Sequence, residues 1–258
     1  MSMSLPFASF DLPIQRFITQ FSGSSDTINH IIYGISALAL VKGVFLFSLL
    51  WFAWFYKNGA EDPDELRKTR ETILVVFFST LAAVVLARLM QSCLSIHPRP
   101  FSIMTELGLQ FPVIRNSQGE IISFGIDTAN SFPSDHAVYF AALSYGLWSI
   151  NRRLGALAFF WTVVVISLPR IYIGLHYPSD VVIGLALGVL LMFAALKVSF
   201  FRSCANMLLR WSEKHQGLFY WLAFITTINA AALFTEVRLI IQKLLMFLSV
   251  GALTQLFH

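Results

Sequence analysis

Long apolar runs alternate with short polar segments along most of this chain. The runs cover residues 29–56, 72–96, 135–150, 154–175, 180–201 and 218–236, with a further apolar stretch at 237–257. Several of them reach or approach the roughly 20 apolar residues with which a helix crosses a bilayer. The pattern therefore predicts an all-α fold, a polytopic transmembrane helix bundle of about six spans.

Two segments depart from this simple pattern. The run at 135–150 is short because its first positions are polar, and Ser134 with Asp135 predicts the cap at which its helix begins. Residues 5–22 mix Phe, Leu and Ile with charged and amide side chains, and they lack the basic start and apolar run of a signal peptide. We expect that N-terminal segment to form an interfacial helix.

The chain carries no internal repeat and no low-complexity tract, so one membrane domain over residues 1–258 is the expected organisation. Its motif-bearing core would cover about 72–201. An interfacial segment at 1–28 would precede this core, and additional C-terminal helices at 202–258 would follow it.

Composition excludes a soluble globular domain. The chain is 57% hydrophobic and 12% charged, with a mean hydropathy of +0.70. A soluble domain has about twice that share of charged residues. The protein is therefore expected to be integral to a membrane.

The net charge of +4 does not indicate a nucleic-acid partner, because the Lys and Arg residues lack interleaved aromatics suited to bases. These cations are concentrated in the segments 57–71, 151–153 and 202–214, which are predicted to be loops. By the positive-inside rule those segments are cytoplasmic. The alternate loops, 97–134 and 169–180, would then face the other side.

Three polar clusters lie in or beside those outer loops. They are HPRPF (97–101), FPSDH (132–136) and RIYIGLHYPSD (170–180). Charged groups at the ends of membrane helices are costly and are usually kept for a function. We therefore expect an interfacial active site for an anion, on the non-cytoplasmic face.

The residue types in these clusters suit phosphate. Arg99 and Arg170 offer guanidinium forks, and Ser134 with Asp135 begins a helix whose backbone N–H groups favour an oxyanion. The chain has no compact carboxylate cluster of the kind that holds magnesium. We expect no metal and no cofactor.

Two histidines complete a plausible reaction. His176 has Asp180 four residues on, a spacing that in a helical turn lets the carboxylate orient the ring and raise its basicity. Such a histidine can attack phosphorus, and His136 can protonate the departing oxygen.

Each feature also has an ordinary explanation. Ser134 and Asp135 are good helix caps, Arg99 can anchor to headgroups, and His176 can be an interfacial loop residue. Lys42, inside the first apolar run, can face the bundle or extend to the interface. The ordered combination of the three clusters favours a site over these separate roles.

The clusters resemble the motifs of the type 2 phosphatidic acid phosphatase superfamily, Lys-six-Arg-Pro, Pro-Ser-Gly-His and Ser-Arg-five-His-three-Asp. The resemblance implies a bundle of about six transmembrane helices, with a metal-free site at one face. By this likeness His176 would form a phosphohistidine, Asp180 would be its partner, and His136 would be the acid. The same likeness implies that the phosphoryl oxygens are bound by Arg99, Arg170 and Ser134.

The chain departs from the family pattern at three positions. Ser92 stands where the first motif has lysine, and Arg88, one helical turn earlier, is the candidate substitute. Asp135 replaces the glycine, a variant similar to that of bacterial undecaprenyl diphosphate phosphatases. Pro169 replaces the serine before Arg170.

The expected substrate is a lipid phosphate or diphosphate whose tail stays in the bilayer. The resemblance of the Asp135 variant to polyprenyl diphosphate phosphatases implies a polyprenyl diphosphate, in a bacterial inner membrane. Lipid A 1-phosphate, phosphatidylglycerol phosphate and phosphatidic acid are alternatives. The loop 97–134, with a turn expected at 115–120, is a candidate lid.

Two other classes of function stay open. A lipid-sugar acceptor in place of water would make the protein a phosphotransferase. A non-catalytic lipid-binding protein is favoured only by the departures at Ser92 and Pro169.

Overall fold

A computed structural model describes residues 7–23, 25–56, 63–94, 97–114, 118 and 130–233. Within these residues the regular elements are helical, apart from an isolated bridge between Pro98 and Asn130. The predicted all-α fold is confirmed. The apolar stretch expected at 237–257 lies outside the described residues, as does the turn expected at 115–120 apart from Gln118.

Most of the helices follow one another with short connections, whereas the long segment 108–134 separates α5 from α6. They are α1 (Ala8–Thr19), α2 (Asp26–Ala37), α3 (Phe45–Phe55), α4 (Pro63–Cys93), α5 (Met104–Leu107), α6 (Asp135–Ile150), α7 (Arg152–Phe160), α8 (Leu168–Tyr172), α9 (Pro178–Lys197), α10 (Ser199–Lys214) and α11 (Gln216–Ala231). A π-helical turn at Leu40–Val44 precedes α3, another at Trp161–Ser167 joins α7 to α8, and a 3-10 turn at Pro100–Ile103 precedes α5.

Three helices of the described part are long and apolar enough to cross a membrane. They are α4, the continuous helix Arg152–Tyr172 and α9. A fourth span is present if α2 and the helix Leu40–Phe55, bent by 63° at their junction, count as one. Since α6 and α11 have 16 residues each, the total of about six spans stays a prediction.

Helix α6 is the centre of the bundle, packed between α4, α7 and α9. Its large side chains Tyr139, Phe140, Leu143 and Leu147 are fully buried. It begins where the sequence predicts, because the Ser134 hydroxyl accepts a hydrogen bond from the backbone N–H of Ala137, at 3.4 Å.

The contact between α6 and α9 is a backbone contact. A methyl group at Gly184 would lie 2.9 Å from the carbonyl oxygen of Ser134, and one at Gly188 would overlap the carbonyl oxygen of Val138. Small residues spaced by four let membrane helices approach closely. The two glycines therefore bring the starts of α6 and α9 together.

Residues 202–214, expected as a basic loop, instead form most of α10. The helix buries Ala205 and Leu209 and exposes its basic side chains, so an amphipathic period underlies a segment that charge alone marked as a loop. Arg67 donates to Glu213 at 3.1 Å, which sets the end of α10 against the start of α4. This is the end of α4 far from the three polar clusters.

Candidate active site

The three polar clusters meet at one end of the bundle. The backbone N–H of Ser131 donates to the carbonyl of His97 at 2.8 Å, and that of Ser134 donates to the carbonyl of Asp180 at 3.2 Å. The N–H of Phe101 donates to Gly174 at 3.0 Å. Backbone hydrogen bonds thus tie the segment after α4 and the start of α6 to the α8–α9 connection.

His176 lies in the connection between α8 and α9 and is completely buried. Its Nδ1 is 2.9 Å from the backbone carbonyl oxygen of Ser131. Because a carbonyl oxygen only accepts, Nδ1 carries the proton and Nε2 carries the lone pair. Nε2 is buried and has no hydrogen-bond partner among the described residues. Burial lowers the pKa of His176 below its ordinary value, which favours the neutral, nucleophilic ring.

Asp180 does not make the direct hydrogen bond to His176 that the spacing suggested. Its Oδ2 is 3.8 Å from His176 Nδ1 and instead accepts the backbone N–H of Tyr177 at 2.8 Å. His176 precedes Tyr177, the cap of α9, so the geometry of a helical turn does not apply to the pair. The carboxylate remains close enough to stabilise a positive charge on the ring.

His97 is a site residue that the sequence analysis left without a role. Its Nδ1 is 3.3 Å from Asp180 Oδ1 and 3.2 Å from the Ser131 hydroxyl. Its ring lies 4.7 Å from that of Tyr177. Asp180 therefore stands between two imidazoles, His97 and His176. The signal that could have found His97 is its place two residues before Arg99.

His136, Asp135 and Arg88 form a chain at the start of α6. Oδ1 of Asp135 accepts from the backbone N–H of His136 at 2.8 Å and lies 2.9 Å from its Nδ1. Oδ2 is 3.5 Å from Arg88 Nη2. Arg88, the candidate substitute for the motif lysine, is thus paired with Asp135. Ser92 is exposed, and its hydroxyl donates to the Arg88 carbonyl at 3.0 Å.

The two motif arginines are used differently. Arg99 is buried, and its guanidinium donates to the carbonyls of Leu175 at 2.8 Å and Asn130 at 3.4 Å, which joins two of the three clusters. Arg170 has a buried Nε without a hydrogen-bond partner in the described part of the chain. Arg170 therefore has more capacity than Arg99 to bind an added anion.

Helix α1 is docked onto the site. Asp11, which is 1% exposed, accepts the backbone N–H of Ser179 at 2.8 Å and its hydroxyl at 2.7 Å. Gln15 donates to the carbonyl of Ile171 at 2.8 Å. Burial raises the pKa of Asp11, and the hydrogen bonds from Ser179 oppose that rise. The N-terminal helix therefore caps the start of α9 beside Asp180, a role that composition did not predict.

A family model described as the PAP2 superfamily matches residues 71–204, slightly more than half of the 258 residues and including all three clusters. The protein belongs to the PAP2 superfamily. The family inferred from the three motifs is confirmed.

Named proteins similar to this PAP2 protein come from several bacteria. The bacitracin transport permease protein BcrC of Bacillus licheniformis is 26% identical, over 79% of this chain and 89% of that protein. The undecaprenyl-diphosphatase BcrC of Bacillus subtilis is 26% identical, over 65% of this chain and 70% of that protein. The crystal structure of Aquifex aeolicus LpxE aligns with a TM-score of 0.46 at 20% identity, covering 73% of this chain and 95% of that one.

Family membership establishes the general activity. The protein is an integral membrane lipid phosphatase of the PAP2 superfamily, and it hydrolyses phosphoric esters or anhydrides.

Proposed function

We propose that this PAP2 phosphatase hydrolyses a polyprenyl diphosphate, most simply undecaprenyl diphosphate, to the monophosphate. The observation that carries the proposal is His176, whose Nδ1 is held by a carbonyl while Nε2 is left buried, unprotonated and without a partner in the described residues. An imidazole held in this way is prepared to attack phosphorus.

In the first step Nε2 of His176 attacks the terminal phosphorus, and the bond to the bridging oxygen breaks. A phosphohistidine and a lipid monophosphate result. Asp180, 3.8 Å from Nδ1, stabilises the positive charge that the ring acquires. The phosphoryl oxygens are bound by Arg170, Arg99 and Ser134, which stabilise the charge that develops on them.

His136 supplies the proton in this first step. With Nδ1 bonded to Asp135, the acid form carries its transferable proton on Nε2, and the carboxylate favours that charged form. The proton passes to the leaving bridging oxygen. His136 then takes a proton from water as that water attacks the phosphohistidine, which releases inorganic phosphate and restores both histidines.

Three observations support a diphosphate substrate on a lipid. A similar protein is named an undecaprenyl-diphosphatase. Asp135 is paired with both His136 and Arg88, so the glycine-to-aspartate variant belongs to the site itself. The clusters lie at the ends of α4 and α9, apolar helices that would keep a lipid tail in the bilayer.

We also propose that the site faces the non-cytoplasmic side of a bacterial inner membrane. Arg67 at the start of α4 and Glu213 on the basic helix α10 are hydrogen-bonded at the far end of the bundle. Arg152 and Arg153 begin α7 after α6 has run away from the site. This distribution supports a cytoplasmic far end by the positive-inside rule.

Phosphate release by the detergent-purified protein tests the proposal. The substrates are undecaprenyl diphosphate, phosphatidylglycerol phosphate, phosphatidic acid and a lipid A phosphate, each in chelator, with His176→Ala alongside. We expect fastest release from undecaprenyl diphosphate and none from the variant. Faster His176-dependent release from another lipid would replace the proposed substrate. Turnover only with an added acceptor would make the protein a phosphotransferase.

A further inference from the structure

The first apolar run is bent shortly before a lysine. The bend of 63° lies between α2 and the helix Leu40–Phe55, and Lys42 lies in the π-helical segment Leu40–Val44 with which that second helix begins. Lys42 is only 8% exposed. π-helical turns inside helices occur frequently at functional sites, and a buried cation in a membrane bundle needs an anionic partner.

The π turn is held firmly against the rest of the bundle. The indole N–H of Trp161 donates to the Val41 carbonyl at 2.8 Å, and the Trp161 ring lies 4.0 Å from that of Phe45. Gly43 packs so closely on Ala231 of α11 that a methyl group there would overlap the Ala231 backbone. These contacts determine the depth at which Lys42 enters the bundle.

At that depth Lys42 is within electrostatic range of the proposed catalytic groups. The hydroxyl of Tyr139, about one helical turn after His136, donates to the carbonyl of Ala230 at 2.9 Å, and Ala231 packs on Gly43, next to Lys42. The π-helical segment therefore lies beside the start of α6, where the charge of Asp135 is close enough to interact with that of Lys42. No described residue accepts a hydrogen bond from its ammonium group. The Asp135 carboxylate is already shared by His136 and Arg88. The lysine therefore lacks a dedicated carboxylate in the described part of the site.

We propose that Lys42 binds an oxygen of the phosphoryl group that is transferred. Lys42, in the first apolar run, would thus take the role of the motif lysine, whose position in this chain is occupied by Ser92. This inference rests on the proposed function. Ser92 is exposed and bonded to the Arg88 carbonyl, and Arg88 is directed to Asp135. The substrate phosphate is the anion that an otherwise uncompensated ammonium at this position would attract.

Lys42→Met tests the inference, because methionine keeps most of the apolar stem and removes the charge. Removing one charge-assisted contact to phosphate is expected to lower kcat/KM for undecaprenyl diphosphate about 10- to 100-fold. The affinity for orthovanadate, a phosphoryl analogue, should fall by about the same factor. Lys42→Arg keeps the charge and should lose less than about 10-fold.

Two matched variants locate the effect. Lys197→Met removes an exposed lysine at the far end of α9 and should leave both readouts within about twofold of wild type. Arg88→Met removes the other candidate for the missing lysine and should weaken vanadate binding less than Lys42→Met does. If Lys42→Met does not fold, Lys42→Gln carries the same expectation with a polar side chain.

Normal vanadate affinity and normal turnover in a folded Lys42→Met protein would overturn the inference and leave the proposed function intact. Vanadate binding that weakens in Lys42→Met, with no hydrolysis of any lipid by wild type, would support Lys42 as an anion ligand while the proposed substrate fails. A larger loss in Arg88→Met than in Lys42→Met would assign the missing lysine's role to Arg88 and overturn the inference.

Discussion

The starts of α6 and α9 each bring a histidine to the site, and the two histidines have opposite surroundings. His176 is fully buried and bonded through Nδ1 to the neutral carbonyl of Ser131. His136 keeps 12% of its side chain exposed and is bonded through Nδ1 to the carboxylate of Asp135. A neutral carbonyl adds little preference for the charged ring, so burial keeps His176 neutral, whereas a carboxylate favours the charged ring. The surroundings of the two rings therefore match the proposed roles of nucleophile for His176 and acid for His136.

Removing the histidine before α9 should have the largest effect. His176→Ala eliminates the atom that forms the covalent intermediate, so kcat should fall by on the order of 10⁴-fold or more. Phosphate release from the preferred lipid is the measurement. His215→Ala, at the far end of α10, is the matched control and should be normal. Release by His176→Ala at even a tenth of the wild-type rate would contradict the phosphohistidine route.

Removing the histidine of α6 should have a smaller effect that depends on the leaving group. His136→Gln should lower kcat about 10²- to 10⁴-fold for a lipid substrate, whose leaving oxygen requires a proton. With an activated aryl phosphate, whose leaving group departs without protonation, the same variant should lose much less of its kcat. Rates for both substrates in one preparation make the measurement. An equal loss for the two would show that His136 is not the acid.

Exchanging the partner of His136 tests the electrostatic part of the comparison. Asp135→Asn keeps the shape and removes the charge, so His136 should hold its proton less well, and the alkaline limb of the kcat profile should move to lower pH. The loss of kcat should therefore be larger on the alkaline side of the profile than on the acid side, and kcat measured across the pH range for the variant and for wild type is the test. If the pH profile of kcat keeps its wild-type position, Asp135 contributes only to the cap of α6 and does not affect the protonation of His136.

Weakening the cap of α9 should have the smallest effect on rate and a clear effect on stability. Asp11→Asn replaces one of two buried acceptors for Ser179 with a donor, at a cost of about 1–3 kcal/mol. A lower unfolding temperature and a few-fold lower kcat are expected. Asp26→Asn, on the exposed start of α2, is the control. Unchanged melting of Asp11→Asn would mean that α1 is not needed for the fold of the site.

The residues that could be predicted from the sequence are those whose side chains carry the proposed chemistry. Arg170, Ser134 and His136 lie at helix ends that the apolar pattern outlines, and Ser134 caps α6 as expected. Ser131 could not be predicted, because its contribution to His176 is a backbone carbonyl, which any residue supplies.

The positions of Asp11 and Lys42 could not be predicted because they depend on tertiary packing. Asp11 is a charge on a short helix that composition assigns to the interface, and its burial depends on the docking of α1 against α9. Lys42 gave a visible signal, a cation inside an apolar run, but its place in the bundle depends on tertiary contacts of its neighbours, Val41 with Trp161 and Gly43 with Ala231.

The close contact of α6 with α9 at Gly184 and Gly188 has a consequence for how this phosphatase could diversify. The contact is made by backbone atoms and alanine methyl groups, so no change of rotamer widens or narrows it. The spacing between the starts of the two helices that position the histidines is therefore fixed by the scaffold. A lineage of such enzymes can exchange the residues that hold the rest of the lipid while the reaction at phosphorus stays the same.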